Sequence, residues 1–537
     1  MTNIMCLRRF FMCRNNLIQI INKEMNNNTA KRLGTIFDTG NSSYFYDTGT
    51  GKVITLDKES KHILSSILKS TNDSIEKIDT DRNYLNYFLD FIEQENLLQA
   101  IEPLSFSHQN HSKFKLEKIL NNEMEQLILK VTGRCNFRCK YCIYNEEFQH
   151  NCNFENEDMS SEMAKKAVDF YYDHSSNSKY TAITFYGGEP LIKFDLIKEV
   201  IDYSIYKFRD RSNMLSFSLT SNLSLITEEM IDYFISVPNF NLVCSLDGDR
   251  ESQNSYRQFA DGTNTFEVVF EKFKLICDKA NKEPDSSFSL SANMVFTPPY
   301  TFEKLDRVNN FYSSLNFLPK DFSIMITYPD EGSLDDGGFL QTLKDDDRYI
   351  KYFVNESDLV YSDPLQQWSE EKTMKNKGLD SNNKNNLYFN YIKSQLIRIN
   401  TRYISDNVSA NYPFNGCCLP GMRRLYVDTK GVFYPCERVG KSPSIGNIDD
   451  GLDYESIEKY YINEYESCSL KYCQNCWAIR LCGTCYAVNM LENGIDKDYH
   501  EKKCDLNRLR IKNQLAFYHE ALEKELDFSI LKDEFLY

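Results

Sequence analysis

Seventeen cysteines stand in this chain of 537 residues, and their spacing is where chemistry can arise. Thr132-Gly-Arg-Cys135-Asn-Phe-Arg-Cys139-Lys-Tyr-Cys142 sets three thiols as CxxxCxxC in one loop, behind the strand-like run Leu127–Val131. Three thiolates this close can wrap a cubane iron–sulfur cluster, whose usual protein ligation is four cysteines. Supplying three leaves one iron open to another ligand, as catalytic zinc sites leave a position for water. Spacing alone leaves a zinc knuckle or an incidental cysteine-rich turn as the alternatives.

A second group lies toward the C-terminus: Cys417, Cys418, then Gly431-Val-Phe-Tyr-Pro-Cys436, Cys473-Gln-Asn-Cys476, Cys482-Gly-Thr-Cys485 and Cys504. Two CxxC pairs are also the raw material of a zinc ribbon. A ribbon spaces its pairs by roughly 15–20 residues, and only five residues separate Cys476 from Cys482. These eight cysteines also exceed what one tetrahedral zinc uses. The seven His form no spaced pair on a helix face, so no histidine metal site is expected. Cys244 and Cys277 fall within strand and helix patterns and read as small core hydrophobes.

The elements that must position these residues alternate. Strand patterns at Leu127–Val131, Ala182–Tyr186, Leu215–Thr220, Asn241–Leu246, Phe288–Phe296 and Phe322–Ile326 are separated by helical ones. The first helix starts at Ser160, with Met163, Ala167, Phe170 and Tyr171 on one face. Repeated βα units of this length imply a parallel sheet or barrel. Six are too few for eight strands, so a partial, open barrel is expected, with functional residues just after the strands. Ahead of it, Tyr44–Leu56 reads as a hairpin around Thr-Gly-Thr-Gly, followed by a helix capped by Asp57 and another over about Ser74–Leu98. The polar run Ser107–Lys113 reads as a linker, and Glu371–Asn386 as a polar insertion before a helix at Leu387–Ile399.

The expected organisation is α/β. Residues 1–24 form a disordered lead or reflect a mis-assigned start at Met1, because Arg8 and Arg9 spoil a signal peptide. Residues 25–113 form a small α+β unit and 114–340 a partial (β/α)6 barrel. Residues 341–400 are a linker with helices, 401–510 a loop-rich cysteine domain and 511–537 a closing helix. Hydrophobic residues at 41% and charged ones at 26% exclude disordered and collagen-like chains. No run approaches the roughly 18 apolar residues of a membrane span. A net charge of −16 argues against nucleic acid or anionic lipid as partner. Clustered thiols without a disulfide framework imply a reducing cytoplasm.

The Cys135–Cys142 loop, with Tyr141 before the last cysteine, resembles the signature of the radical S-adenosylmethionine (SAM) enzymes. So do Tyr186-Gly187-Gly188-Glu189-Pro190 after the second strand, Thr220-Ser221-Asn222 ending the third, and Ser245-Leu246-Asp247-Gly248 ending the fourth. The resemblance implies a [4Fe–4S] cluster on Cys135, Cys139 and Cys142, whose open iron chelates SAM. It implies cofactor contacts from Tyr141, Gly187, Gly188, Glu189, Pro190, Ser221, Asn222, Ser245 and Asp247, with Glu189 accepting from the SAM amino group. Arg257 is either a further contact or a salt-bridged barrel arginine. Catalysis then rests on cluster-bound SAM, which yields a 5′-deoxyadenosyl radical, and on no other catalytic residue.

The C-terminal group is similar to the SPASM extension of radical SAM peptide maturases, which implies two auxiliary [4Fe–4S] clusters. Cys473, Cys476, Cys482 and Cys504 would bind the outer one. Cys418, Cys436 and Cys485 would bind the inner one, with Cys417 an extra thiol beside Cys418. The N-terminal unit resembles the peptide-recognition domains of such maturases, where a leader adds a strand to a sheet edge. The implied function is maturation of a ribosomally made precursor peptide through thioether links, using a low-potential reductant such as ferredoxin or flavodoxin. The alternatives are an anaerobic sulfatase-maturase-like formylglycine generator, and a non-catalytic iron–sulfur scaffold that binds peptides.

Overall fold

The structure is a computed structural model that describes residues 16–69, 74–107, 113–144, 154–211, 215–329, 353–355, 358–360, 364–376, 387–414, 416–439, 441–528 and 531. Expectations for residues 1–15, most of the 107–113 linker and 377–386 fall outside the described residues.

At the N-terminal end, β1 (Gly34–Asp38), β2 (Ser43–Asp47) and β3 (Val53–Leu56) form an antiparallel sheet in the order β1-β2-β3. β2 and β3 are the expected hairpin, with Phe45 opposite Ile54. At its turn the Asp47 carboxylate accepts from the Thr50 amide and hydroxyl, both at 2.8 Å, and from the Leu98 amide at 2.8 Å. Two helices cover the sheet. α1 (Lys58–Lys69) is capped by Asp57, whose carboxylate accepts from the Ser60 amide at 2.8 Å, and α2 (Arg82–Gln94) by Asp81. The strand β1 was not expected, because its two adjacent apolar residues, Ile36 and Phe37, make no alternating pattern by themselves.

The expected lead needs a correction. Residues 16–26 are helical, and Leu17, Ile21 and Met25 are buried with Ile63, Phe88 and Leu89 in the core of this unit. The stripe has the i, i+4, i+8 spacing of one helix face.

The barrel matches expectation strand for strand. β5 (Gln126–Thr132), β6 (Thr181–Gly187), β7 (Leu215–Ser221), β8 (Phe240–Ser245), β9 (Ser289–Val295) and β10 (Ser323–Thr327) lie parallel in chain order. The helix after β5, α3 (Ser161–His174), buries Ala164, Ala167, Val168 and Tyr171, which shifts the expected face by about one position. Its half-buried Phe170 has a second partner, the Phe433 ring at 4.9 Å. That partner belongs to a distant hairpin, β12 (Leu425–Val427) with β13 (Phe433–Tyr434), numbered after β11 (Asn411–Pro413). β12 pairs in parallel with β5, so the C-terminal region extends the barrel sheet at its first edge.

The remaining units also interlock. β4 (Ser105–Ser107) pairs with β11. Phe37 and Tyr46 share a buried cluster with Ile399, Ala478, Leu481, Ile511 and Leu515. The last two residues stand on α10 (Lys497–Glu523), numbered after the barrel helices and α9 (Glu464–Cys473). α10 also carries Cys504 and runs straight through the expected boundary at 510/511. Among the described residues no helix is long and apolar enough to cross a membrane.

Candidate functional site

The first thiol group hangs from the C-terminal end of β5. Its loop is pinned along residues 256–260: the Arg138 amide donates to Gln258 O at 2.8 Å, the Lys140 amide to Tyr256 O at 2.9 Å, and the Phe137 and Phe259 rings meet edge-on at 4.7 Å. Cys139 is buried, Cys135 and Cys142 half-buried, and all three are free thiols. Burial pushes the Cys135 thiol up to about 11 and the Cys139 thiol up to about 12, while the nearby Arg257 guanidinium pulls both down. The same guanidinium acts on Cys142. A cation beside three thiols suits a ligand set that must give up its protons on metal binding.

The motif residues at the ends of β6, β7 and β8 converge on this loop. A Cβ on Gly187 would sit 2.2 Å from Thr132 O and one on Gly188 2.1 Å from Arg134 O. These glycines therefore let the end of β6 press against the cysteine loop. The Gly188 amide donates to Thr132 O at 3.0 Å and the Glu189 amide to Arg134 O at 2.8 Å, and Pro190 opens a short helix, Pro190–Lys193.

Glu189 is 1% exposed. One carboxylate oxygen accepts from the Ser221 hydroxyl at 2.7 Å and the Leu191 amide at 3.1 Å, and the other accepts from the Asn222 amide at 2.8 Å. Burial pushes its carboxyl above the usual carboxylate range, against the pull of these hydrogen bonds. Glu189 thus ties the end of β6 to the end of β7. Asn222 continues the chain of contacts: its Nδ2 donates to Asn136 Oδ1 at 3.0 Å and lies 4.0 Å from Cys135 Sγ.

On the other side, the Tyr141 hydroxyl donates to Asp247 at 2.5 Å and accepts from Arg257 at 2.8 Å. Asp247 also accepts from the Val295 amide at 3.1 Å, and its own amide donates to Gln253 at 2.9 Å. Arg257 is 7% exposed, and its Nε has no hydrogen-bond partner among the described residues. A buried donor left open beside three thiols fits an anionic group of a bound cofactor. Ser245 ends β8, half-buried. Asn136 and Gln253 were not singled out in the sequence. Neither lies in a recognisable spacing, and only the meeting of strand ends gives them partners.

The C-terminal thiols fall into two groups. Cys473, Cys476, Cys482 and Cys504 line one cavity, with Phe106, Tyr465 and Arg508 among its walls. Arg508 lies 3.9 Å from Cys476 Sγ. These four thiols ring that cavity.

The other group surrounds Tyr486, which lies within electrostatic reach of Cys485, Cys436, Cys417 and Cys418. Cys417, the residue expected to be surplus, is hydrogen-bonded to Cys485 and accepts from the Tyr486 amide at 3.3 Å. Cys418 lies 3.7 Å from an Arg423 nitrogen. Gly416 permits this approach, since a Cβ there would lie 2.3 Å from Thr484 O. Arg423 and Arg438 act on Cys485, and Arg424 on Cys436. Each thiol group therefore has a guanidinium beside it, which suits anionic thiolate clusters. No spacing in the sequence marked these arginines.

The model of the radical SAM superfamily matches residues 129–311. The chain is 23% identical over 519 residues to the radical SAM cyclopropyl synthase TigE of Paramaledivibacter caminithermalis, covering 93% of this chain and 98% of that protein. It is 23% identical over 373 residues to a cysteine-type anaerobic sulfatase-maturating enzyme of Clostridium novyi, 67% of this chain and 86% of the other. The structure of native anSMEcpe with bound AdoMet shares the fold, with a TM-score of 0.50 at 18% identity over 76% of this chain and all of that one. With the strand-end motifs gathered around the loop of Cys135, Cys139 and Cys142, this chain is an enzyme that carries a radical SAM domain over residues 129–311.

Proposed function

We propose that this enzyme matures a ribosomally made precursor peptide by joining peptide cysteines to carbon in thioether links. The observation that carries the peptide reading is the N-terminal sheet: among the described strands β3 pairs with β2 alone, which leaves an edge that an extended leader can join. A sulfatase-maturase-like enzyme would not need that edge, and a scaffold that only binds peptides would not need the SAM motifs gathered at the strand ends.

Cys135, Cys139 and Cys142 would hold a [4Fe–4S] cluster that binds SAM. Cys473, Cys476, Cys482 and Cys504 would hold an outer auxiliary cluster, and Cys417, Cys418, Cys436 and Cys485 an inner one. With SAM bound, the first cluster supplies one-electron cleavage of the sulfonium and hydrogen abstraction from substrate. The chain's own part is positional. Glu189 fixes the strand ends and offers a buried acceptor to the SAM amino group, and Asn222 fixes the loop at Cys135. Arg257 holds Tyr141 and keeps a donor for the cofactor's carboxylate. The buried setting of these groups excludes water, which strengthens each contact.

Changing Glu189 to Gln tests this division. An amide nitrogen placed on either side of the group faces a backbone N–H, of Leu191 or of Asn222. The variant is expected to melt at a lower temperature and to bind SAM about tenfold more weakly or worse, since a charged acceptor contributes about 1.5–3 kcal/mol. Equilibrium dialysis with SAM checks it; unchanged affinity would remove Glu189 from the cofactor site.

The reaction class is read from the peptide product. A thioether consumes a thiol with loss of two hydrogens and forms no aldehyde. A formylglycine consumes the thiol and forms an aldehyde. A second reading follows from the TigE match: closure of a cyclopropyl ring, which loses hydrogens but leaves every thiol free for alkylation. Mass spectrometry after alkylation and hydrazide labelling separates the three, and a product with its thiols intact would overturn the thioether assignment.

A further inference from the structure

The two C-terminal thiol groups meet at one short segment. Cys482 of the outer group and Cys485 of the inner one are separated by Gly483 and Thr484. The Thr484 side chain faces the outer group. Its hydroxyl lies 3.2 Å from Cys482 Sγ and accepts from the Asn507 side-chain amide at 2.5 Å. With Asn507 donating to its oxygen, the hydroxyl hydrogen is left for the Cys482 sulfur. The Thr484 carbonyl serves the inner group. Its oxygen accepts from the Tyr465 hydroxyl at 2.9 Å and from the Cys417 thiol at 3.8 Å.

Tyr465 spans the same divide. It is buried and stands on α9, the helix that also carries Cys473 of the outer group. Its ring walls the outer cavity and packs against the Phe414 ring at 5.1 Å. On the inner side it meets the Tyr486 ring edge-on at 6.1 Å. Its hydroxyl is also in hydrogen-bond contact with Cys417, with which it shares the Thr484 oxygen. Two hydroxyls therefore stand at the junction, each directed at one sulfur of a different group.

We propose that these hydroxyls set the reduction potentials of the two auxiliary clusters separately, Thr484 through Cys482 for the outer cluster and Tyr465 through Cys417 for the inner. The inference rests on the assignment of these eight thiols to two clusters and adds which donor tunes each. A cysteine that binds iron is a thiolate with no proton to give. Cys417 then draws the Tyr465 hydrogen bond onto its sulfur, where an ionised acceptor makes the bond stronger. Reduction adds an electron to a cluster and makes its sulfurs better acceptors still. A donor on a ligand sulfur therefore stabilises the reduced cluster and raises its potential. Thr484 and Tyr465 are positioning residues in this role, acting through the sulfurs they contact.

A redox titration of the anaerobically reconstituted full chain, followed by electron paramagnetic resonance, tests the two roles, with iron analysis on the same sample. The signal of the first cluster is recognised by its change on addition of SAM, which leaves two midpoint potentials to follow. Thr484→Val removes the hydroxyl at nearly constant shape. It should lower one midpoint by about 59 mV, a tenfold change in a one-electron equilibrium. Tyr465→Phe should lower the other midpoint by a similar amount, and the double variant should lower both. Thr484→Ser keeps the hydroxyl and should hold the unaltered potentials. Full iron with unmoved midpoints in either variant overturns the inference, as do both variants moving the same midpoint, or Thr484→Ser shifting as Thr484→Val does. Loss of about four Fe in a single variant overturns it too, because the hydroxyl would then hold a cluster together instead of tuning it. All these outcomes leave the assignment of two auxiliary clusters standing. An unaltered chain with only about four Fe and no auxiliary signal fails that assignment, and the inference with it.

Discussion

Changing Cys135, Cys139 and Cys142 together to Ala should remove about four of about 12 Fe per anaerobically reconstituted chain and abolish SAM cleavage. The three thiols share one loop that is pinned to residues 256–260 through backbone and ring contacts. Those contacts involve no sulfur, so the loop should survive the substitution. The two C-terminal groups lie on other elements and should keep their iron. Iron and sulfide analysis with SAM cleavage under dithionite reads both quantities. Retained cleavage, or the finding of zinc and no iron in the unaltered protein, would sink the assignment.

Deleting everything before residue 114 should cost the outer auxiliary cluster as well as substrate recruitment. From the sequence the opposite is expected, because residues 25–113 contain no cysteine. The fold reverses that expectation. Phe106 forms one wall of the cavity ringed by Cys473, Cys476, Cys482 and Cys504. The backbone between those cysteines is held from the N-terminal unit, by Arg32 on Gln474 O at 3.1 Å and by the Thr48 hydroxyl on Trp477 O at 2.9 Å. Deletion also strips Phe37 and Tyr46 from the cluster with Ile399, Leu481 and Leu515. Full burial of each such side chain contributes about 1.5–3 kcal/mol, against a total stability of about 5–15 kcal/mol. Iron is therefore expected to fall by about four per chain, with SAM cleavage retained at the barrel. A truncated chain that keeps all its iron would show that these contacts do not support the outer group.

The barrel and the places of its strand-end motifs can be read from the chain alone. Six βα units show clear periodicity because β5 is buried nearly throughout, β7 and β9 bury alternate residues and each helix buries one face, so local pattern and final environment agree. The motifs at their ends share a site because parallel strands bring all their C-terminal ends to one side. The division of the C-terminal cysteines was legible as well: the four expected together at Cys473, Cys476, Cys482 and Cys504 do line one cavity. The rest depends on contacts between distant segments. The hairpin of β12 and β13 joins the barrel sheet, and residues 16–26 join the N-terminal core, through partners hundreds or tens of residues away that no local pattern encodes. Cys417 meets Cys485 because Gly416 lets two loops touch, a contact that adjacency to Cys418 made hard to foresee. Glu189 tells the same story at the scale of one side chain. Its motif marked it as a cofactor acceptor, but its hydrogen bonds to Ser221, Leu191 and Asn222 depend on β6 and β7 lying side by side. Spacing along a chain can nominate a carboxylate, and the donors that surround it are chosen by the packing of strands.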